Sequence, residues 1–376
     1  MADTIADWTQ LVAASYPERD AASWDAPGLH VGDPADPVTA VLVALDVTEA
    51  VLDEALERGA DLVLAHHPLL FRPLERLTPA TASGRLALRA ARERIGVLAA
   101  HTNFDAAVPG TTEPIVGLLG LEDVQPLEPA PPDEEVKLVT FVPREHTAAV
   151  LSALSAAGAG VIGEYDHCGF RSEGTGTFRP SPDAHPHLGE RGEVNEVAEH
   201  RLEVVVPRAG LDAAVAALWA AHPYEEVAYD VYPLLPGRST KGLGRVGTLP
   251  EPARLGALAD RLATDLPSPH LRLAGDPDRR VTRVAACGGA GDSLIPVALA
   301  AGAECYVTGD LRHHPTLDAL TQGMACIDAG HHATEAAALP ELRARLEASG
   351  RAHGLTARLV ASALSTDPWG DYRPPR

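Results

Sequence analysis

The stretch that decides the fold is "VTAVLVALDVTEAVLDEALERGADLVLAHHPLLF", residues 38–71. An apolar, β-rich run is followed by a segment with helical spacing that has Gly59 near its end, and then by the short apolar run "DLVLA". Further on, "ASGRLALRAARERIG" predicts a helix closed by Gly96, and "VLAA" predicts a third strand. The order β-α-β-α-β predicts an α/β fold with helices packed on a parallel sheet, because strands buried on both faces have continuous apolar runs.

The same pattern returns near the C-terminus. "VTRVAACGG" predicts a strand, "GDSLIPVALAAGA" a helix, "ECYVTGD" a strand with a loop, and "GMACIDAGHHATE" a strand that leads into a polar turn. When Val38 is placed over Val281, His66 falls at the position of Gly309 and Asp310. This internal repeat predicts two related α/β halves, residues 1–130 and 242–370, which form one domain from discontinuous segments.

A different pattern, itself doubled, lies between the two halves. "KLVTFVPREHTAAVLSALSAAG" begins at Lys137 and "RLEVVVPRAGLDAAVAALWAAH" begins at Arg201, each a strand followed by an Ala/Leu helix. Each is followed by a further strand candidate, "GEYDHCGFRS" and "EVAYDVYPL", and "GTGTFRPSPDAHPHLGERGEV" predicts a long loop between the copies. Two successive β-α-β units predict an inserted ferredoxin-like α+β domain over residues 135–237.

Composition and charge narrow the function class. The 376 residues carry a net charge of -21, and such an acidic surface disfavours binding to nucleic acid. No run of about 18 apolar residues predicts a membrane span, and no secretory signal is visible, so we expect a cytoplasmic protein. The four cysteines show no CxxC spacing, which is typical of reduced cytosolic thiols and argues against a thiolate zinc site.

Metal-binding side chains follow four of the predicted strands. In an open α/β sheet, ligands bind outside the carboxyl ends of the strands. Any one of these clusters has an ordinary explanation as a surface or hydrogen-bonding group, but four such clusters in two related halves predict a metal site. The four clusters are His66 and His67; His101, Asn103 and Asp105; Asp310, His313 and His314; and Asp328, His331, His332 and Glu335.

The ligand types indicate two divalent ions. Imidazole with carboxylate suits zinc, manganese, iron, cobalt or nickel. His66 and His67 could each bind a different ion, and Asp105 and Glu335 are the candidates for a carboxylate shared between two ions. His332 competes with its neighbour for one ligand position. The predicted ligand set is His66, His67, Asp105, His331 and Glu335.

Three further residues are candidates for catalysis. His101 lies four residues before Asp105 and either orients that carboxylate or bonds to the backbone. Asp310 and His314 occupy the repeat position that corresponds to the first histidine pair. We expect both to face the metal cavity as acid/base groups or substrate contacts.

The motifs together resemble the Nif-three-like dinuclear metal-centre family, also described as GTP cyclohydrolase type 2 homologues. The resemblance rests on "WDAPGLHVGDP", "LAHHPLLF", "HTNFDAA", "YVTGDLRHH" and "DAGHHATE", in this order. It implies that the predicted ligand set holds two divalent metals in a toroidal homohexamer with an internal cavity. It also implies that the insert, with "GTFRP", "EHRLEVVVP" and "AHPYEEVAYDVYPL", is PII- or CutA-like. Ala26, Pro27 and His30 depart from the usual first motif of the family.

The family name implies hydrolytic opening of the base of GTP, so the resemblance predicts a metal-dependent hydrolase of a nucleotide-like small molecule. A hydroxide activated by two metals would attack while Asp310 or His314 moves the proton. Arg72 and Arg312 are candidates for contacts to phosphate, and "GGAGD" at 288–292 could offer amides to an anion. The alternatives are a metal-dependent phosphoesterase and a non-enzymatic metal-binding or regulatory assembly, which the insert supports.

Overall fold

The computed structural model describes residues 3–132, 134–235, 237, 239–266 and 271–370. The chain forms two units, one made of Met1–Pro131 with Ser239–Arg376 and the other of Pro132–Arg238. Within the described residues, no helix combines the length and the apolar character that crossing a bilayer requires.

Strands and helices alternate along most of the chain. The strands are β1 (Asp3–Thr4), β2 (Gly28–Val31), β3 (Pro37–Val38), β4 (Ala40–Ala44), β5 (Leu62–Ala65), β6 (Gly96–Ala99), β7 (Glu122–Pro129), β8 (Glu135–Pro143), β9 (Gly169–Phe178), β10 (Asn195–Pro207), β11 (Tyr229–Pro233), β12 (Gly242–Arg254), β13 (Arg272–Ala274), β14 (Arg280–Ala290), β15 (Cys305–Gly309), β16 (Ala325–Asp328) and β17 (Arg358–Ala361). The helices are α1 (Ile5–Ser15), α2 (Glu49–Arg58), α3 (Ala82–Glu93), α4 (Thr102–Asp105), α5 (Glu113–Leu119), α6 (Thr147–Ala156), α7 (Leu211–Ala221), α8 (Leu255–Asp265), α9 (Ile295–Ala300), α10 (His313–Thr321), α11 (His331–Ala336) and α12 (Leu339–Ala352). The chain is therefore a mixed α/β protein.

The first sheet of the larger unit has the strand order β17-β4-β5-β6-β2. Its first four strands are parallel, and β2 runs antiparallel to β6. Helices cover both faces: Val51 and Leu52 of α2 pack on one face, and Trp8 of α1 and Leu342 of α12 pack on the other. This explains why β4, β5 and β6 are entirely apolar.

The second sheet has the order β13-β16-β15-β14-β12-β7, and its central strands β14, β15 and β16 are parallel. Side chains alternate between two cores, so that Val307 packs toward α5, α8 and α11 while Tyr306 packs toward α9 and α10. Each sheet thus has three parallel strands in chain order at its centre, the group β4-β5-β6 and the group β14-β15-β16. The predicted common origin of the two halves stays a prediction.

The smaller unit forms a sheet with the order β11-β8-β10-β9, in which all neighbouring strands are antiparallel. The connections β8-α6-β9 and β10-α7-β11 are the two predicted β-α-β units, an arrangement known as split β-α-β. Helices α6 and α7 pack on one face of this sheet through Val150, Leu154, Ala214 and Leu218. The predicted likeness of the insert to PII or CutA proteins stays a prediction.

Two element ends differ from the sequence expectation. Helix α3 ends at Glu93, the next residue Arg94 takes the left-handed conformation with φ 57°, and Gly96 already begins β6. A Cβ atom at Gly96 would lie 2.7 Å from Ile5 and 2.8 Å from Leu62, so the glycine serves close packing rather than helix termination. Strand β9 continues to Phe178, five residues into the segment expected to be a loop.

Candidate metal centre

The five predicted ligands lie together where strands of the two sheets end. His66 and His67 directly follow β5, and Asp105 is the last residue of α4, the short helix after β6. His331 and Glu335 lie one turn apart on α11, which begins three residues after β16. Because of the 3.6-residue period, the i and i+4 positions of this helix share one face.

Glu335 lies at the centre of the cluster. Its Oε2 is 3.0 Å from Nε2 of His67 and 3.1 Å from Nε2 of His331, whereas its Oε1 is 3.5 Å from Nε2 of His66. Nε2 of His66 is in turn 3.6 Å from Oδ1 of Asp105. Among the described residues, two of the three groups able to hold an ion contain Glu335, one with His67 and His331 and the other with His66 and Asp105. Glu335 belongs to both groups, as a bridging carboxylate must.

The imidazoles of the cluster are all fixed through Nδ1. Each Nδ1 lies within hydrogen-bond distance of a carbonyl or carboxylate oxygen, which can only accept, so each Nδ1 carries a proton. The pairs are His66 with Ala100 O at 2.9 Å, His67 with Asp46 Oδ1 at 2.7 Å, His101 with Asp25 Oδ1 at 2.7 Å, and His331 with Asp310 Oδ2 at 2.8 Å. Metal-binding histidines are typically oriented in this way, with Nε2 left to face the ion.

The carboxylates of the cluster favour the protonated imidazoles of His67 and His331 in the absence of a metal ion. Burial lowers the pKa of His67, but the nearby carboxylates of Asp46 and Glu335 outweigh it and raise the pKa to about 10. Burial also lowers the pKa of His331, and Glu335 and Asp310 together raise it to about 9. Burial raises the pKa of Glu335, but the neighbouring imidazoles hold it well below its usual range. Metal binding would therefore displace protons from the imidazoles.

Two buried atoms test whether these residues fit a metal ion. Nε2 of His66 and Oε2 of Glu335 are shielded from solvent, and among the described residues neither has a hydrogen-bond partner with good geometry. Buried polar atoms are normally satisfied, so one orphaned atom in each of the two groups that contain Glu335 indicates that ligands are missing there. The donor set of imidazole and carboxylate fits a divalent transition metal or zinc.

His101 belongs to a third group, with His66 and His67. Among the described residues, its ring makes no hydrogen bond to Asp105: Nδ1 bonds to Asp25 Oδ1 at 2.7 Å, and Asp105 Oδ1 accepts from Thr111 Oγ1 at 2.5 Å. With Nδ1 bonded to Asp25, His101 instead has Nε2 free toward the histidine pair. The structure thus places His101 among the candidate ligands rather than behind them.

In the glycine-rich stretch at 288–291, the amides of Gly288 and Gly289 bond to threonine hydroxyls of the protein, so these two amides are not available to an anion. The amide of Gly289 donates to Thr334 Oγ1 on α11, at 2.9 Å. A Cβ atom at Gly289, whose φ is +66°, would lie 2.1 Å from Oε1 of Glu335. Glycine is therefore required here both for the backbone conformation and for the space that the carboxylate of Glu335 occupies.

A thiol lies closer to the centre than the sequence indicated. Burial raises the pKa of the Cys287 thiol to about 12, and the nearby Asp105 and Glu335 carboxylates add to the rise. Its Sγ contacts the carbonyl oxygen of Gly288 at 3.2 Å. Cys287 nevertheless belongs to none of the groups of described residues that could hold an ion.

A cavity of about 930 Å³ opens beside the cluster. It is lined by His67 and His331 on one side and by the chain from Thr366 to Gly370 on another. Of the described residues that line it, Arg272 alone carries a guanidinium or ammonium group, and that group is paired with the carboxylate of Asp328. Negative groups of a ligand would therefore depend on metal ions for their counter-charge.

The remaining predicted residues divide between the cavity and the surface. Asp310 and His332 line the cavity, although His332 is in none of the groups able to hold an ion. His314 is exposed on α10 and does not line it. Arg72 is exposed outside the cavity, and Arg312 pairs with an aspartate on the surface. The structure therefore does not bring His314, Arg72 or Arg312 to the metal centre.

Sequence reasoning missed two aspartates that orient the histidines. Asp46 follows β4 by two positions, and the same search past strand ends would have found it. Asp25 has a fully buried side chain that also accepts hydrogen bonds from the backbone and the hydroxyl of Thr102, at 3.0 and 2.5 Å. Burial raises the pKa of Asp25, but the hydrogen bonds from His101 and Thr102 hold it well below its usual range.

Comparison with known families gives a match over most of the chain. Residues 4–368 match the family model described as Duf34/NIF3 (NGG1p interacting factor 3). A Mycobacterium leprae protein named GTP cyclohydrolase 1 type 2 homolog is 42% identical over 373 residues, which cover 98% of this chain and 96% of the relative. A Bacillus subtilis protein of the same name is 43% identical over 324 residues, 86% of this chain and 87% of the relative.

Solved structures share the fold. A Bacillus cereus protein related to NIF3 superposes with a TM-score of 0.89 at 38% identity and covers 99% of this chain and 100% of its own. A Staphylococcus aureus protein superposes with a TM-score of 0.78 at 28% identity, with 99% of each chain covered. The likeness thus extends over both units.

Proposed function

The chain belongs to the Duf34/NIF3 family, as its motifs indicated, and from this membership and the geometry of the centre we propose that it is a metal-dependent hydrolase with two divalent ions. The observation that carries the proposal is the position of Glu335, whose Oε2 faces the imidazoles of His67 and His331 while its Oε1 faces that of His66. A single carboxylate between two ligand sets is the arrangement that a two-metal hydrolytic site requires.

The ligand sets follow from the two groups. His67, His331 and Glu335 would hold one ion, and His66, Asp105 and Glu335 the other, with His101 able to complete a coordination sphere. Two ions held in this way would acidify a water molecule and stabilise negative charge that develops on the substrate.

The protein's own residues supply orientation and proton transfer. Asp310 accepts a hydrogen bond from Nδ1 of His331 and so fixes this imidazole toward the cluster. The same carboxylate lines the cavity, and we assign it the uptake of the proton that the attacking water loses. His314 has no part in this step, because its side chain is exposed away from the cavity.

The cavity is consistent with a nucleotide-like substrate. Trp369 lines it with 77% of its surface exposed, so that a flat face is available for a purine ring. Phosphate oxygens would approach the ions, because the arginine of the wall is already paired. The name of the relatives makes GTP the first substrate to test, with formate and the ring-opened nucleotide as expected products.

The test needs the untagged full-length protein, since a polyhistidine tag would bind metal itself. Metal per chain is measured by mass spectrometry, and turnover of GTP and of a phosphoester panel is followed before chelation, after chelation and after reloading. We expect two ions per chain and turnover that chelation removes and reloading restores. The His314→Ala variant, which alters an exposed histidine, should behave as the wild type.

A second candidate function is a metal-binding regulatory assembly. The observation that favours it is a separate cavity of about 710 Å³ in the smaller unit, which a simple hydrolase does not need. Two bound ions without turnover on the whole panel would select this candidate over the enzyme. For either function we propose a homohexamer, as the family resemblance implies, and native mass spectrometry would measure the number of chains.

A further inference from the structure

The smaller unit has a cavity on the face of its sheet that α6 and α7 leave open. Leu202 and Val142 belong to the core under the helices. Because side chains alternate along a strand, Phe141, Glu199 and Arg201 point to the opposite face, and all three line the cavity. The segment from Arg179 to Leu188 and the turn around Tyr224 supply further walls, so the site is built from this unit alone.

A nearly buried carboxylate faces this cavity without a counter-charge. Glu199 is only 7% exposed, and its Oε1 accepts a hydrogen bond from the Tyr224 hydroxyl at 2.7 Å. Its Oε2 has no hydrogen bond to the described residues, and no arginine, lysine or histidine nitrogen of theirs lies within 4.0 Å of the carboxylate. Two arginines line the cavity, and neither pairs with Glu199: Arg201 pairs with Glu203 at 3.0 Å, and Arg179 has no carboxylate of the described residues within 4.0 Å.

The nearest buried histidine cannot supply the charge. Nε2 of His222 lies 3.0 Å from the carbonyl oxygen of Phe141 and must donate to it, while Nδ1 accepts from the amide of Tyr224 at 3.2 Å. These two contacts fix a neutral imidazole, and burial correspondingly lowers the pKa of His222. Tyr224 remains a protonated donor, because burial and Glu199 hold its pKa well above the usual range.

We propose that this cavity binds a small organic cation, namely a protonated amine, amidine or guanidine attached to a flat apolar body. Buried carboxylates are normally paired, and Glu199 has a free oxygen toward the cavity for such a partner. Phe178 and Tyr224, whose ring centroids are 6.3 Å apart, supply aromatic faces for the apolar body and for the cation. The volume of about 710 Å³ is that of a small-molecule site.

Gly176 keeps the carboxylate in place. A Cβ atom there would lie 2.1 Å from Oε2 of Glu199, so any larger residue would displace the carboxylate or cover its free oxygen. The backbone of β9 is extended at this position, so that alanine is compatible with it. The "AHPYEE" turn of the insert contributes Tyr224, the hydroxyl group that donates to Glu199. This stretch therefore has a role in the proposed cation site and none in the metal centre.

The test uses benzamidine, a flat ring with an amidinium group, together with neutral benzamide and anionic benzoate as matched probes. Binding to the full-length protein is measured by calorimetry up to about 10 mM probe. We expect saturable binding of benzamidine, at least about tenfold tighter than that of either control probe. Binding should survive chelation of the metals, which separates this site from the proposed hydrolase centre.

Three variants complete the test. Glu199→Gln keeps an acceptor for Tyr224 but removes the charge, and it should weaken benzamidine at least about tenfold. Gly176→Ala keeps the charge of Glu199 but should weaken benzamidine binding, because the added Cβ displaces the Glu199 carboxylate. Glu196→Gln makes the same charge change at an exposed position of β10 outside the cavity and should have no effect. The proposal is overturned if benzamidine does not bind, if benzoate binds equally well, or if Glu199→Gln and Gly176→Ala both fold and bind as the wild type does.

Discussion

The central position of Glu335 makes a specific prediction about metal stoichiometry. Glu335 takes part in both groups able to hold an ion, whereas Asp105 takes part in one and His332 in none. We therefore expect Glu335→Gln to weaken both ions, Asp105→Asn to weaken one, and His332→Ala to leave both in place. The last variant is the matched control, since it alters a histidine on the same helix that lines the same cavity.

The size of the effect follows from the number of donor atoms. Each group contains three protein donor residues, and Glu335→Gln replaces the shared anionic donor of both groups with a neutral amide. Changes behind the ligands typically cost 10–100-fold in metal affinity, so loss of a ligand should cost at least about 100-fold, or about 2.7 kcal/mol, for each ion.

The assay is dialysis against a chelator of intermediate affinity, followed by measurement of metal per chain and of circular dichroism. We expect two ions for the wild type and for His332→Ala, one for Asp105→Asn and none for Glu335→Gln, all with the same secondary structure. Retention of both ions at wild-type affinity by Glu335→Gln would refute the bridging role. If Asp105→Asn lost both ions, Asp105 would be shared between the two ions in the same way as Glu335.

Three further predictions concern pH, space and stability. From about pH 7 to pH 9, metal affinity should rise by about tenfold per pH unit for each proton that the metal displaces. The reason is that His67 and His331, with pKa values of about 10 and 9 without metal, must lose protons to bind it. Competition titrations with a chelator measure this slope, and an affinity that does not change with pH would contradict the protonated state of the two histidines. Gly289→Ala should lose bound metal yet keep its circular dichroism spectrum, since its Cβ would lie 2.1 Å from Oε1 of Glu335, and full metal content would show that the carboxylate has another position. Arg245→Met should lower the free energy of unfolding, measured by urea denaturation, by about 3–5 kcal/mol. The buried guanidinium forms hydrogen bonds to a carboxylate and to three backbone carbonyls, and a change below about 1 kcal/mol would be inconsistent with this network.

Sequence reasoning could predict the alternation of strands and helices and could identify the candidate ligands. Both depend on short, contiguous stretches of residues. An apolar run such as "DLVLA" specifies a buried strand by its own residues, and parallel strands present their carboxyl ends at one edge. His66 and His67 are therefore recognisable from their place after a strand. The family was likewise recognisable, since five short motifs in order carry it.

Only the tertiary structure decided how these residues divide between two groups. Residues 67 and 331 are far apart in sequence, and the 3.3 Å between their Nε2 atoms results from the packing of α11 against the second sheet. The sequence left Asp105 and Glu335 as equal candidates for sharing, and packing places Glu335 in two of the groups able to hold an ion but Asp105 in only one. Similarly, two histidine pairs look alike in sequence, but α10 turns His314 to the solvent while β5 ends with His66 fully buried. Such distances depend on contacts between distant segments, which no local pattern of residues encodes.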